Sequence, residues 1–346
     1  MNKFKQFFLS FGKDFLGFVL LLLFLILFFN IESFKSERYG FTVPDAWLNV
    51  NTIFLGIVIE AVPFILLGVF VSALIQIYVK EDIIHKYLPK NAYAALLPAA
   101  ILGAIFPICE CAIVPIVRRL IKKGMPLHVG VVFLVAAPIL NPVVAASTFF
   151  AFRTDLTVLY ARMGLAFVLS IIIGGILYLV FKNRDQLKWT KEEFVGRQVV
   201  LETSATAPRK MNRFKQTLYH AADEFFLMGK FLILGAFIAA LFQTFLDRSL
   251  LQAIGSNEFS STAVMMAFAF LLSLCSEADA FVAASFGSTF TTGSIIAFLV
   301  YGPMLDLKNT IMLFAFFKAK FVLVFIAVVT AIVFIAVVAL QLLAIF

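Results

Sequence analysis

The chain carries the same segments twice. Residues 67–76 read LGVFVSALIQ and residues 234–243 read LGAFIAALFQ, identical at six of ten positions. FLVAAPILNP at 133–142 returns as FLVYGPMLDL at 298–307, and Ile108-Cys109 returns as Leu274-Cys275. The offsets are nearly constant: 167 for the first pair, 166 for the cysteines and 165 for Pro138 and Pro303. A long, regular period means two copies of one structural unit, so the fold must let the halves pack on each other.

Composition decides the solvent. The chain is 62% hydrophobic and 14% charged, and residues 321–346 run 26 positions without a charge, enough to span a hydrocarbon core of about 30 Å. Spanning backbone must satisfy its own hydrogen bonds, which favours helices. The short alternating segments of a membrane barrel are not visible. The expected fold class is an all-α polytopic membrane protein, and duplication in such a chain is the pattern of transporters built from two repeats.

Lys3, Lys5 and Lys13 precede an apolar run from Phe15 to Phe29 that lacks a small-residue cleavage site, so it reads as an uncleaved N-terminal helix. Three cysteines do not suggest a disulfide framework.

Charge sets the threading. Segment 182–215 holds nine Lys/Arg against four acids, and the positive-inside rule makes it a cytoplasmic, solvated linker. It lacks the motif and aromatic interleaving of a nucleic-acid binder. With Arg118, Arg119, Lys122, Lys123, Lys318 and Lys320 on the same side, the N-terminus is cytoplasmic. Residues 1–50 form the extra helix and outer loop, 51–181 the first repeat, 182–224 the linker and 225–346 the second repeat. Residues 92–117 then begin and end inside as a re-entrant hairpin, each arm about 20 Å long. Residues 262–289 form its counterpart from outside. The helix carrying LGVFVSALIQ runs inward and its partner outward, which makes the repeats inverted in topology.

The hairpin tips carry the chemistry. Cys109, Glu110 and Cys111 lie between Pro107 and Pro115. Cysteines at i and i+2 point about 200° apart on an intact helix; the prolines favour a broken one, in which both thiols can address one cavity and select soft ions. A carboxylate at membrane depth costs roughly 2.5–3.5 kcal/mol unless it meets water or a partner, so Glu110 is expected at the start of a half-helix, near its positive end. The second tip offers Cys275, Glu277 and Asp279. Its two carboxylates repel and burial disfavours their charged forms, so the pair is expected to hold a proton. Helix breaks at Pro138–Pro142 and at Pro303–Asp306 release carbonyls and side chains, among them the Asn141 amide, to a ligand. Glu60 adds another intramembrane acid. The candidate ligand set is therefore Cys109, Glu110, Cys111, Asn141, Pro142, Cys275, Glu277, Asp279 and Asp306. Glu60, Glu277 and Asp279 are candidates for ion coupling, and Cys109 and Cys111 for a metal. No lysine or arginine is assigned to the tips, which suits a cation, a proton or a neutral thiophilic solute rather than an anion.

The stretch PICECAIVPIVRRLIKKGMPLHVGVVFLVAAPILNPVVA, with SLCSEADAFVAASF, resembles the bacterial predicted-permease family that includes organoarsenical efflux permeases. The resemblance runs from Glu60 onward. It implies an integral-membrane permease whose Cys109 and Cys111 would engage trivalent arsenic. Relatives often accompany a second small membrane protein, which implies a heteromeric complex. The leading expectation is a secondary transporter in the cell membrane that exports a thiophilic or cationic small solute, coupled to protons. No nucleotide-binding motif or other cofactor signature stands out. The alternatives are a membrane thiol oxidoreductase using Cys109 and Cys111, and a membrane subunit without transport of its own.

Overall fold

A computed structural model describes residues 44–78, 89, 91–106, 108–182, 186–188, 213–245, 258–287 and 289–343. The expected N-terminal helix, most of the basic linker, Lys80, Lys86, Lys90, His85 and Pro107 lie outside the described residues. The first half contributes α1 (Asp45–Tyr78), α2 (Leu96–Ile105), α3 (Glu110–Lys122), α4 (Leu127–Leu140), α5 (Pro142–Ala151) and α6 (Leu156–Phe181). The second contributes α7 (Arg213–Phe245), α8 (Glu258–Leu272), α9 (Ser276–Ser285), α10 (Thr292–Met304), α11 (Leu307–Phe316) and α12 (Ala319–Leu342). Six spans among these residues are long and apolar enough to cross a bilayer: α1, α4–α5, α6, α7, α10–α11 and α12. The protein is an all-α polytopic membrane protein.

Its two broken spans form the core. In α10–α11 89% of the most apolar stretch is buried within the protein and in α4–α5 72%, against 33–39% for the other four spans. This follows from the breaks themselves, because interrupted backbone is tolerated at membrane depth only where protein or water surrounds it. Packing in the halves corresponds: α2 lies on α4 as α8 lies on α10, and α4 on α6 as α10 on α12. Across the halves, α5 packs on α9 and α3 on α11.

The helices bearing the duplicated LGxF segment, α1 and α7, pair along their length. Trp47 meets Phe245, Phe54 meets Phe237 with ring centroids 6.1 Å apart, and Ser72 donates to Glu224 at 2.8 Å. Early residues of α1 thus meet late residues of α7, so the two run antiparallel. The duplicated glycines permit close crossings. A Cβ on Gly68 would lie 2.8 Å from the Ala112 backbone of α3, and one on Gly235 3.0 Å from Lys308 Cα of α11. Small residues at crossings are how membrane helices gain packing without a hydrophobic drive. Gly68→Ala is therefore expected to lower stability by about 1–3 kcal/mol, read as a lower thermal midpoint in detergent. Gly56→Ala on the same helix meets nothing within 4 Å and is expected to be neutral or mildly stabilising; equal losses for both would refute the crossing as the cause.

One end of the bundle is basic. Leu187 forms an antiparallel bridge with Phe317, Lys188 N donates to Phe316 O at 2.7 Å, and Lys188 Nζ donates to Phe314 O. Arg118 lies over the Phe316 ring at 4.5 Å, and Arg119 pairs with Glu224 at 3.1 Å. The C-terminal ends of α3, α6 and α11 and the N-terminal parts of α7 and α12 therefore share one side. Arg118 and Arg119 are packed into the fold: Arg118 is buried and Arg119 bonds a buried carboxylate.

Candidate functional site

Four half-helices begin at the breaks, and each break is built by local chemistry. Cys109 (φ −77°, ψ 168°) is extended and precedes α3, and Cys275 (φ −73°, ψ 144°) precedes α9. Asn141 caps α5, accepting from Val144 N at 2.9 Å, and Asp306 caps α11, accepting from Asn309 N at 2.6 Å. Side-chain oxygens at this position satisfy amides that a helix leaves unpaired. Ser273, at the end of α8, takes a left-handed backbone with φ 48°, a conformation that costs roughly 1–2 kcal/mol outside glycine. It is held from both sides: Lys308 Nζ donates to Ser273 O at 2.7 Å, and Leu307 N donates to Ser273 Oγ at 3.0 Å.

The two cysteine-bearing tips meet. Ser276 Oγ donates to Glu110 Oε2 at 3.1 Å, joining the first residue of α9 to the first residue of α3. Lys308 Nζ lies 3.3 Å from Glu110 Oε1 and 3.6 Å from Asp306 Oδ2, so one ammonium serves both carboxylates. Arg162 of α6 is fully buried, donating to Thr148 Oγ1 at 2.7 Å and to Ser276 O at 3.0 Å. Asp279 is buried beside Gly302, whose Cβ would lie 3.2 Å from Asp279 Oδ2; that oxygen has no hydrogen bond among the described residues. Burial of this many charges is tolerable only because they compensate one another and face helix N-termini.

The structure gathers Cys109, Glu110, Cys111, Cys275, Glu277, Asp279 and Asp306 about these tips. The three cysteines are buried free thiols, with Cys109 within hydrogen-bonding reach of Cys111 and Cys275 Sγ donating to Glu277 Oε2. Among the described residues no group of three or more His, Cys, Asp and Glu is arranged to hold a metal ion. Two of the expected ligands and one of the expected coupling residues stand differently. The Asn141 amide is consumed at the α4–α5 break, its Nδ2 donating to Ala137 O and Pro138 O. Pro142 is exposed and serves as the first residue of α5. Glu60 is exposed on α1 and does not join the cluster. The buried acid at that helix pair is Glu224, on α7.

The assignment of no cation to the tips is corrected by Lys308 and Arg162. Both had a signal in the sequence. Lys308 stands two residues after Asp306 in a break otherwise apolar, and Arg162 stands alone inside the apolar run of α6. Ionisable residues within a span face protein or water and pair there. The site is thus three buried acids, Glu110, Asp279 and Asp306, against two buried cations, rimmed by three thiols.

Comparison with known proteins agrees with this architecture. A family described as predicted permease matches residues 46–342. UPF0718 protein YcgR of Bacillus subtilis is 49% identical, over 84% of this chain and 97% of that protein. A protein of Streptococcus mutans named as a putative two-component membrane permease complex subunit is 38% identical, over 82% of this chain and 92% of its own length. UPF0718 protein MJ0584 of Methanocaldococcus jannaschii is 25% identical over 44% of this chain and 42% of its own. No solved structure matches. The match runs from the start of α1 to the end of α12 and takes in both tips and both breaks, so the chain belongs to the predicted permease family.

Proposed function

We propose that this chain is a secondary transporter that exports a thiophilic small solute, cationic or neutral, from a site between two inverted repeats, 51–181 and 225–346. The observation that carries the reading is the junction of the tips. Cys109, Glu110 and Cys111 abut Cys275 and Ser276 where four half-helices begin, the arrangement transporters use to bind solutes midway across the membrane. From its start at Glu110, α3 needs 13 residues to reach the basic end, about 20 Å of an about 30 Å core. The antiparallel pairing of α1 with α7 supports the inversion. The basic end, where Lys188 and the C-terminal end of α6 lie, is the cytoplasmic one, and on the expected N-terminal helix within residues 1–50 the N-terminus lies there too.

In this reading the thiols supply soft ligands, and a cationic solute must displace Lys308 from Glu110. Asp279, with an unbonded oxygen, and Glu277 beside Cys275 are the proton-coupling groups. The Streptococcus mutans relative, named as a subunit of a putative two-component membrane permease complex, supports a second membrane subunit for this chain as well.

The test is Cys109→Ser with Cys111→Ser in membrane vesicles, assayed for uptake of trivalent arsenicals, Zn²⁺ and Cu⁺ with and without a pH gradient. Loss of uptake by at least about tenfold is expected, the equivalent of about 1.4 kcal/mol of lost site affinity, with the protein still assembled. Unchanged uptake overturns thiol ligation. Unchanged uptake with lost thiol–disulfide turnover would instead make the chain a membrane oxidoreductase.

A further inference from the structure

The halves are not used alike around α1 and α7. In the basic half of the bundle α1 lies on α3 and α7 lies on α11. The offsets 165–167 map α3 onto α9 and α11 onto α5, so exact copies would also place α7 on α9 and α1 on α5. Neither of those pairs is in extended contact. Yet α5 and α9 pack on each other as α3 and α11 do, and they lead the other way. α5 ends at the start of α6, whose far end is basic, and α9 ends at the start of α10, whose span also finishes at the basic end. In the opposite half α7 lies on α8, with Gln243 Nε2 donating to Leu272 O, but the α1–α7 pair leaves α5 and α9 uncovered.

Repeat equivalence names the missing contacts. The crossing of Gly68 on Ala112 maps to Gly235 on Ala278, and that of Gly235 on Lys308 maps to Gly68 on Val143. The Phe231–Phe316 ring contact, with centroids 5.8 Å apart, maps to Phe64 on Ala151. Val143 is 49% exposed, Phe64 39% and Phe281 of α9 55%. An unused contact surface would leave these positions open, as they are.

We propose that α1 and α7 rock as one unit between two seats, the α3–α11 seat seen here and an α5–α9 seat in which Phe64 meets Ala151 and Gly235 meets Ala278. The inference rests on the two-repeat reading above. The present seat closes the basic face over the tips; the second closes the opposite face and opens the basic one. Two structures of one sequence built from swapped repeat contacts differ little in energy unless something favours one. Here something does. Ser72 and Arg119 both bond the buried Glu224, and the equivalent positions are Ala239, Ser285 and Ile57, so this latch exists only in the present seat.

The test is cross-linking in native membranes with a short bis-thiol reagent, using F231C/F316C for the present seat and F64C/A151C for the second. Single-cysteine variants read the background from the native thiols. Both pairs are expected to cross-link above their singles. Glu224→Gln is expected to raise the F64C/A151C yield roughly tenfold, as loss of a hydrogen bond to a buried charge shifts a two-state balance. Cross-linking of F231C/F316C alone, with F64C/A151C at background also in the Glu224→Gln protein, would overturn the second seat. The readout does not depend on a solute. Cross-linking at both seats without solute uptake would count against the transporter reading and leave the rocking intact. Uptake with only the first seat would do the reverse.

Discussion

Replacing Lys308 by methionine will leave Glu110 and Asp306 buried without their shared ammonium. Glu110 is fully buried and Lys308 is 3% exposed, so no solvent can take over. Removing one partner of a buried pair costs about 3–5 kcal/mol, most of it the penalty of the stranded charge. Here two carboxylates are stranded, and the Ser273 carbonyl loses its donor as well. The thermal midpoint in detergent should fall accordingly. The discriminating variant is Lys308→Met with Glu110→Gln. Neutralising the closer carboxylate, 3.3 Å from Nζ against 3.6 Å for Asp306, should restore most of the loss. A double variant no more stable than the single one would show that the lysine acts through packing of its stem rather than through charge.

Replacing Arg162 by leucine should cost a similar about 3–5 kcal/mol, by a different route. Its guanidinium ties α5, through Thr148, to the first residue of α9, through the Ser276 carbonyl. The same Ser276 holds Glu110 by its hydroxyl. Loss of the arginine therefore loosens the tip junction itself and removes positive charge from the neighbourhood of Asp279. Lysine at this position should not rescue, since a single ammonium cannot reproduce the planar fork. Asp279→Asn in the Arg162→Leu background should recover part of the stability. Full rescue by lysine, in the same thermal assay, would reduce Arg162 to a point charge.

Much of this was legible in the residues. Helicity and membrane residence follow from apolar length, because lipid offers backbone groups no partner. The breaks were legible only in part: Asn141 and Asp306 fall at helix starts as their capping chemistry requires, whereas Pro115, Pro138 and Pro303 lie inside continuous helices. The tips were legible because a carboxylate is a costly choice in an apolar run, and cysteines stand beside it at both. Glu60 misled for the same reason. One-dimensional position says that an acid lies within a span, while the face it occupies depends on where α7 and α3 pack. Lys308 and Arg162 were overlooked because each lies in a different element from the acids it compensates or, for Asp306, is separated from it by a helix cap.

The order of residues alone determined a duplicated helical membrane unit and the sites where its helices must break, since those depend on local backbone chemistry and on the length of apolar runs. Only the tertiary structure decided which charges neutralise which, and on which pair of half-helices α1 and α7 are seated. Both are matters of distance between segments more than a hundred residues apart, such as Glu110 and Ser276 or Ser72 and Glu224. Coulomb energy and close packing act through space, so no spacing along the chain encodes them directly.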